Sequence, residues 1–102
     1  MNQAEIEIKV PASHPALPGH FPGQPIVPGV VLLALVHQQA RQQIGFAAGG
    51  SRWRRIKFLN PVLPEQTCHL KLSGNHDQFS FQIESADGQT MARGQCRHAA
   101  LA

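Results

Sequence analysis

Polar and apolar residues alternate in several segments of the chain, which predicts strands that bury one face. The predicted strands cover residues 5–10, 53–59, 69–73, 79–83 and 90–97. Turn sequences separate the later strands, among them Gly74-Asn75-His76-Asp77 and the pair Asp87-Gly88. Short turns of this kind join neighbouring antiparallel strands, so we expect the last strands to form a meander.

An apolar run after the first strand predicts one helix, from Gly29 to about Ile44. Pro28 suits the start of a helix, where a missing N–H costs nothing, and Gly45 supplies the stop. The second half of the helix, residues 38–43, becomes more polar and is expected to emerge towards solvent. The predicted core stripe consists of Val30, Leu33, Val36 (or His37) and Ala40, and Val31, Leu32 and Leu35 widen it. This pattern is typical of a helix whose first two turns are buried.

The predicted elements follow in the order strand, irregular segment, helix and about four strands, which indicates an α+β protein. We expect an antiparallel sheet of about five strands wrapped around one central helix, in a single domain over residues 1–102. Hydrophobic residues make up 42% of the chain and charged residues 15%, which is typical of a globular protein. Because a chain of 102 residues has a small core, we expect dimerisation to complete it.

The net charge is +3 with neutral histidines, and several cations lie close together in the sequence. They are Arg52, Arg54, Arg55 and Lys57. Two interpretations remain open, namely a solvated strand face anchored by Trp53 and a surface that attracts an anionic partner. Nucleic acid is disfavoured as the partner because aromatic residues are 6% of the chain and do not alternate with these cations.

Other sequence features narrow the class of protein. Cys68 and Cys96 show no disulfide or metal-ligand spacing, so we expect reduced thiols in or near the core. No phosphate-binding glycine loop or dinucleotide fingerprint occurs, and we expect no metal and no cofactor. The longest apolar run, residues 30–36, is too short to span a bilayer, and the first residues lack the layout of a signal peptide. We therefore expect a cytoplasmic protein that does not bind membranes.

The candidate chemistry lies in the proline-rich segment that leads into the helix. Its many prolines reduce the freedom of the unfolded chain and favour a stiff loop. His20 titrates near neutral pH and suits a base, although a histidine in such a loop also commonly hydrogen-bonds its own turn. Gly29 either presents a helix-start amide to a substrate carbonyl or simply begins the helix.

One motif resembles a known family. The run from His20 to Val30 reads His-Phe-Pro-Gly-Gln-Pro-Ile-Val-Pro-Gly-Val, and it resembles the signature of the β-hydroxyacyl-acyl-carrier-protein dehydratases of fatty acid synthesis. Residues 56–65 are similar to the strand and turn that follow the helix in that family, so the resemblance covers roughly residues 5–98. It implies the hotdog fold and dehydration of 3-hydroxyacyl thioesters on an acyl carrier protein, in fatty acid, polyketide or polyene-type lipid synthesis.

The resemblance assigns roles to individual residues. His20 would remove a proton from the carbon next to the thioester carbonyl, the Gly29 amide would bind that carbonyl, and Gln38 would support the acid. The acid itself, an Asp or Glu that protonates the departing hydroxyl, falls on Ala34, which cannot donate a proton. His37, three residues further along the helix, is the nearest titratable side chain and a candidate substitute acid, although a structural boundary residue is the commoner role there.

In this family the site lies at a dimer interface, with the histidine from one subunit and the acid from the other. A homodimer of this chain would have two sites without an acid, whereas a heterodimer with an acid-bearing hotdog subunit would have one complete site. The resemblance therefore implies a dehydratase-like subunit with such a partner, and it makes Arg52, Arg54, Arg55 and Lys57 candidates for docking an acidic carrier protein. The alternatives are a non-catalytic subunit that binds an acyl chain or carrier protein and, ranked last, a hotdog thioesterase.

Overall fold

The computed structural model describes residues 2–15, 17, 26–47 and 50–98. Within them it contains one helix and five strands. In chain order these are β1 (Asn2–Ile8), α1 (Gly29–Gln43), β2 (Ser51–Phe58), β3 (Cys68–Gly74), β4 (Gln78–Ser85) and β5 (Thr90–His98). The predicted α+β class, the helix and all five strands are confirmed.

The first strand lies earlier in the chain than predicted, and Val10 explains the difference. Val10 is buried, with 3% of its surface exposed, so its apolar character matched a strand pattern. Its carbonyl, however, accepts a hydrogen bond from the Glu65 N–H at 2.8 Å instead of pairing with β3. The alternating pattern therefore identified a buried residue correctly but extended the strand past Ile8, where pairing with Cys68 ends.

The strands form one antiparallel sheet in the order β1-β3-β4-β5-β2, which places β1 and β2 at its edges. Side chains alternate between the two faces, and the inner face is apolar. It includes Leu70 and Leu72 of β3, Phe81 and Ile83 of β4, and Cys96 of β5, each at most 3% exposed. The outer face carries the polar residues of the same strands.

Helix α1 packs on the inner face through Leu32, Val36 and Ala40, which are 3%, 0% and 0% exposed. The prediction that Val30 belongs to the core stripe is wrong, because Val30 is 75% exposed. Leu32 lies two positions after Val30, so their side chains point about 200° apart around a helix of 3.6 residues per turn. The exposed side of α1 includes Val30, Ala34 and Gln38.

The turns predicted at residues 74–77 and 87–88 are confirmed, as are the reduced thiols predicted for the two cysteines. Asn75 closes the turn between β3 and β4, where its side-chain oxygen accepts from the Asp77 and Gln78 N–H groups at 2.9 and 3.1 Å. Gly88 adopts a φ of +90° in the next turn, a conformation that favours glycine. Cys68 and Cys96 are free and buried, and burial raises the pKa of both thiols.

Candidate active site

The start of α1 leaves backbone N–H groups without acceptors among the described residues. Pro28 caps the helix with extended backbone (φ −60°, ψ 146°), and its carbonyl accepts from the Val31 and Leu32 N–H groups at 3.0 and 3.3 Å. Among the described residues, the Gly29 and Val30 N–H groups have no backbone acceptor, and the first turn contains no acidic side chain. The positive end of the helix dipole therefore faces outward beside two N–H groups, which suits a developing oxyanion.

Phe58 defines the space above this helix start. A β-carbon placed on Gly29 would lie 2.7 Å from Cζ of the Phe58 ring, so only glycine leaves the ring where it is. The two residues line a groove of about 490 Å³ together with Val27, Leu59, Pro61 and other mostly apolar residues. A groove with this mostly apolar lining suits a hydrophobic ligand.

Two chain segments hold the groove in place. The Val27 N–H donates to the Val62 carbonyl at 2.8 Å, which ties the entry to α1 to the segment after β2. Asn60 is fixed to β5, because its backbone N–H donates to the Met91 carbonyl and its side-chain amide donates to the Thr90 carbonyl at 2.8 Å. The similarity of residues 56–65 to the dehydratase family thus falls on a segment that borders the helix start.

Ala34 lies on the exposed side of α1, between two shallow depressions that it shares with Gln38. One depression of about 510 Å³ is lined by His37 and Arg41, and the other, of about 340 Å³, by Lys9 and His14. The titratable side chains that line them are all basic, and neither lining contains a described Asp or Glu. Position 34, to which the family resemblance assigns the acid, therefore has no described carboxylate beside it.

His37 packs against two aromatic rings. Its ring makes edge contacts with Phe46 and Trp53, with centroids 5.5 and 6.4 Å away. Its Nε2 atom is buried and has no hydrogen-bond partner among the described residues. Burial, and after it the charge of Arg41, lowers the pKa of His37, so the imidazole is neutral at neutral pH. The substitute-acid role of His37 remains a prediction, and this protonation state does not favour it.

His20 falls outside the described residues, so its role as the base remains a prediction.

The described chain that precedes His20 is anchored to Glu65, a residue for which sequence analysis found no role. The Glu65 carboxylate accepts a hydrogen bond from the Ala12 N–H at 2.7 Å. It also forms an ion pair with the Lys9 ammonium group, at a distance of 3.8 Å. Glu65 adopts a φ of +66° in the turn, which turns it toward this segment. A positive φ at a non-glycine residue leaves no mark in the sequence.

The predicted basic cluster occupies the edge strand β2. Arg52, Arg54, Arg55 and Lys57 are exposed, whereas Trp53 points inward and makes edge contacts with Phe79 and Phe81. The structure thus agrees with a charged strand face anchored by one tryptophan. Docking of a carrier protein on these cations remains a prediction.

Within the described segments, no helix is both long and apolar enough to cross a membrane, and no group of metal-ligating side chains assembles.

Comparison with known proteins gives the family. The sequence model of the ApeI-like family, described as ApeI dehydratase, matches residues 1–95. A 3-hydroxyacyl-[acyl-carrier-protein] dehydratase FabZ of Thermomicrobium roseum is 33% identical over 97% of this chain and 74% of its own length. The FabZ of Chlamydia trachomatis serovar L2 is 35% identical over 78% of this chain, which spans about half of that protein, 53%. The chain belongs to the ApeI-like family of FabZ-related dehydratases.

Solved structures give the fold. The dehydratase heterocomplex ApeI:P from Xenorhabdus doucetiae contains a chain with a TM-score of 0.79 and 24% identity, covering 93% of this chain and 85% of that one. An uncharacterised protein from Erwinia carotovora subsp. atroseptica has a TM-score of 0.73 and 29% identity over 93% of this chain and 81% of its own. The helix and five-stranded antiparallel sheet are a hotdog fold, as the resemblance implied.

Proposed function

We propose that this chain is the histidine-bearing subunit of a dehydratase that acts on 3-hydroxyacyl thioesters of an acyl carrier protein. Its family and the names of its FabZ relatives support the reaction class. Turnover requires a second hotdog subunit that supplies the acid, because position 34 of this chain is alanine. The relation to the Xenorhabdus protein, which is a heterocomplex, supports an assembly of two different subunits.

The proposed reaction divides the work between residues of two subunits. The thioester carbonyl is bound at the Gly29 amide, and His20 takes the proton from the adjacent carbon. The resulting negative charge on the carbonyl oxygen is stabilised by the helix-start N–H groups. The partner's carboxylic acid gives its proton to the departing hydroxyl as the C–O bond breaks, which releases water and leaves a 2,3-double bond. Gln38 lies beside Ala34 and would support an acid at position 34, which this chain lacks.

The surroundings of Ala34 are the observation that carries the proposal. A general acid contributes on the order of a hundredfold to ten-thousandfold to a rate, so its loss is too costly for an active homodimer. Lys9, His14, His37 and Arg41 line the two depressions at Ala34, and the described residues there offer no carboxylate. A complete site therefore uses His20 of this chain with the acid of another, and the site at Ala34 stays inactive.

The test is dehydration of a 3-hydroxyacyl thioester by the assembled complex, with His20→Ala introduced into this chain alone. The proposal expects activity in the unmodified complex and a loss of at least a hundredfold with His20→Ala, provided that both complexes assemble equally in size-exclusion chromatography. Unchanged activity would show that the partner performs the chemistry.

That second result describes the alternative function, a non-catalytic subunit that binds or positions an acyl chain or carrier protein. The missing carboxylate at Ala34 is the observation that favours it. A thioesterase ranks last, since α1 carries no carboxylate between Gly29 and Gln43. The likeness to a 1,4-dihydroxy-2-naphthoyl-CoA thioesterase from Synechocystis, with a TM-score of 0.58 and 17% identity, concerns the fold alone.

A further inference from the structure

Cations oppose one another across the last two strands of the sheet. Antiparallel pairing of β2 with β5 sets Arg52 opposite Arg97 and Lys57 opposite Arg93. Residues 93, 95 and 97 alternate with the buried residues 92, 94 and 96, so both arginines of β5 belong to the outer face. Six of the nine lysines and arginines of the chain therefore share this region, which we name the cationic face. Its members are Arg52, Arg54, Arg55, Lys57, Arg93 and Arg97.

The charge of the cationic face is not neutralised within the described chain. Ion pairs among the described residues join Lys9 to Glu65, Lys71 to Glu84 and His76 to Asp77, and none includes a member of the cationic face. Like charges directly opposite one another destabilise a sheet. The arrangement therefore costs stability in the isolated chain, and an anionic partner would remove that cost.

A β-bulge shapes the middle of the cationic face. The register between β2 and β5 shifts between Arg54 and Lys57, and Arg55 adopts a φ of 55° there. Left-handed backbone at a non-glycine residue is unfavourable and is often found at functional sites. Arg55, Lys57 and Arg93 line a depression of about 590 Å³ at the bulge, together with Ser80, Gln82 and Gln95. At the end of the cationic face where Arg97 lies opposite Arg52, the Arg97 Nε atom is buried without a hydrogen-bond partner among the described residues.

Protection of the sheet edge does not account for this pattern. Lysine and arginine on an edge strand discourage pairing with other chains, which explains cations on β2. Arg93 and Arg97, however, lie on β5, which is an interior strand between β4 and β2. A nucleic-acid partner is disfavoured because Trp53, the aromatic side chain of β2 that lies between arginines, packs against Phe79 and Phe81 of the core and not on the outer face.

We infer that the cationic face is the docking surface for an acidic protein, centred on the bulge at Arg55, Lys57 and Arg93. Its identification as the acyl carrier protein rests on the proposed function. The docking surface therefore includes residues of both β2 and β5, whereas the predicted cluster lay on β2 alone. Its centre lies closer to Arg93. Phe58 follows Lys57 directly and contacts Gly29, so the docking surface and the helix start border the same end of β2.

The test is binding of a fluorescently labelled acyl carrier protein to the assembled complex, measured by anisotropy. The variant Lys57→Gln/Arg93→Gln should weaken binding by about threefold to tenfold, because exposed ion pairs are individually weak. Lys71→Gln is the matched control, since it removes a cation from the outer face outside the cationic face and should leave binding unchanged. Binding should also weaken steeply with added salt.

The same double variant separates docking from folding. Removing the opposed pair should leave the melting temperature unchanged or raise it, because like-charge repulsion is relieved. Equal carrier affinity of the double variant and the wild type would overturn the inference, as would tighter binding of a single-stranded RNA than of the carrier. Dehydration of a carrier-free pantetheine thioester needs no docking, so its absence in the unmodified complex would refute the proposed function and leave the docking result standing.

Discussion

Phe58, the last residue of β2, lies with its ring against the backbone of Gly29, the first residue of α1. The approach is so close that a β-carbon on Gly29 would lie 2.7 Å from Cζ of the ring. Phe58 is nevertheless 51% exposed, so its ring can swing away from an added methyl group. The contact therefore constrains the space at the helix-start amide more than it stabilises the fold.

Gly29→Ala should separate activity from stability. The methyl group fills the space in front of the amide, and dehydration by the assembled complex should fall by about tenfold or more. Stability should be unchanged or higher by up to about 1 kcal/mol, since alanine favours a helix more than glycine does. Steady-state rates and urea unfolding measure the two effects. Full activity would show that the carbonyl is not bound at this amide.

Ala34→Glu should give the chain activity on its own. The side chain at this position is exposed, so the larger residue is accommodated without repacking of the core. Paired with itself, the variant would have His20 and a carboxylic acid in each site, and its rate should exceed that of the wild-type chain by at least about a hundredfold. Ala34→Gln has the same shape without the acid and should remain inactive. Equal rates for the two variants would contradict the role assigned to position 34.

His37 should make the stability of the chain depend on pH. Its pKa is lowered from 6.5 by burial and, to a smaller extent, by Arg41. As the pH falls, His37 is therefore protonated at a higher pH in the unfolded chain than in the folded chain. Its contribution to the free energy of unfolding is fully present above about pH 6.5 and is lost as the pH falls toward the lowered pKa. The melting temperature of His37→Gln should decrease less over that interval than that of the wild type. Equal slopes for His37→Gln and the wild type would contradict this assignment.

Val30 and Leu70 should respond very differently to truncation. Leu70 is 0% exposed at the centre of the inner face, and Leu70→Ala should cost about 2–5 kcal/mol in the free energy of unfolding. Val30 is 75% exposed, and Val30→Ala should change that free energy by less than about 0.5 kcal/mol in the isolated chain. Urea unfolding of both variants measures this difference. Similar losses would place Val30 in the core, as the sequence pattern suggested.

The sequence predicted the elements well because strands and turns are local signals. Alternating segments and the turns that bound them gave all five strands, and Asn75 and Gly88 mark turns by their own conformational preferences. The orientation of α1 was harder to predict. Its first eight residues are all glycine or apolar residues, so the sequence does not reveal that Leu32 and not Val30 faces the sheet. That choice is made by packing against strands that follow the helix in the chain.

The candidate site was proposed from residues that lie close together in the sequence. The family resemblance assigns roles to His20, Gly29 and position 34, which remain predictions, and the structure adds the groove that Gly29 forms with Phe58. Arg93 was not predicted as a neighbour of Lys57, because the register of β2 with β5 brings together residues that are far apart in the chain. Likewise, the lowered pKa of His37 depends on burial that no local pattern shows.

The central claim is that this chain holds half of an active site. Its most direct test is the rate of 3-hydroxyacyl thioester dehydration while this chain and an acid-bearing hotdog subunit, expressed from a neighbouring gene, are mixed in varied ratio at constant total concentration. The partner carries a substitution of its own histidine, so that the sole competent base is His20. The account predicts background rates for each chain alone and a maximum at the equimolar mixture. Rapid turnover by this chain alone, unchanged when the partner is added, would contradict it.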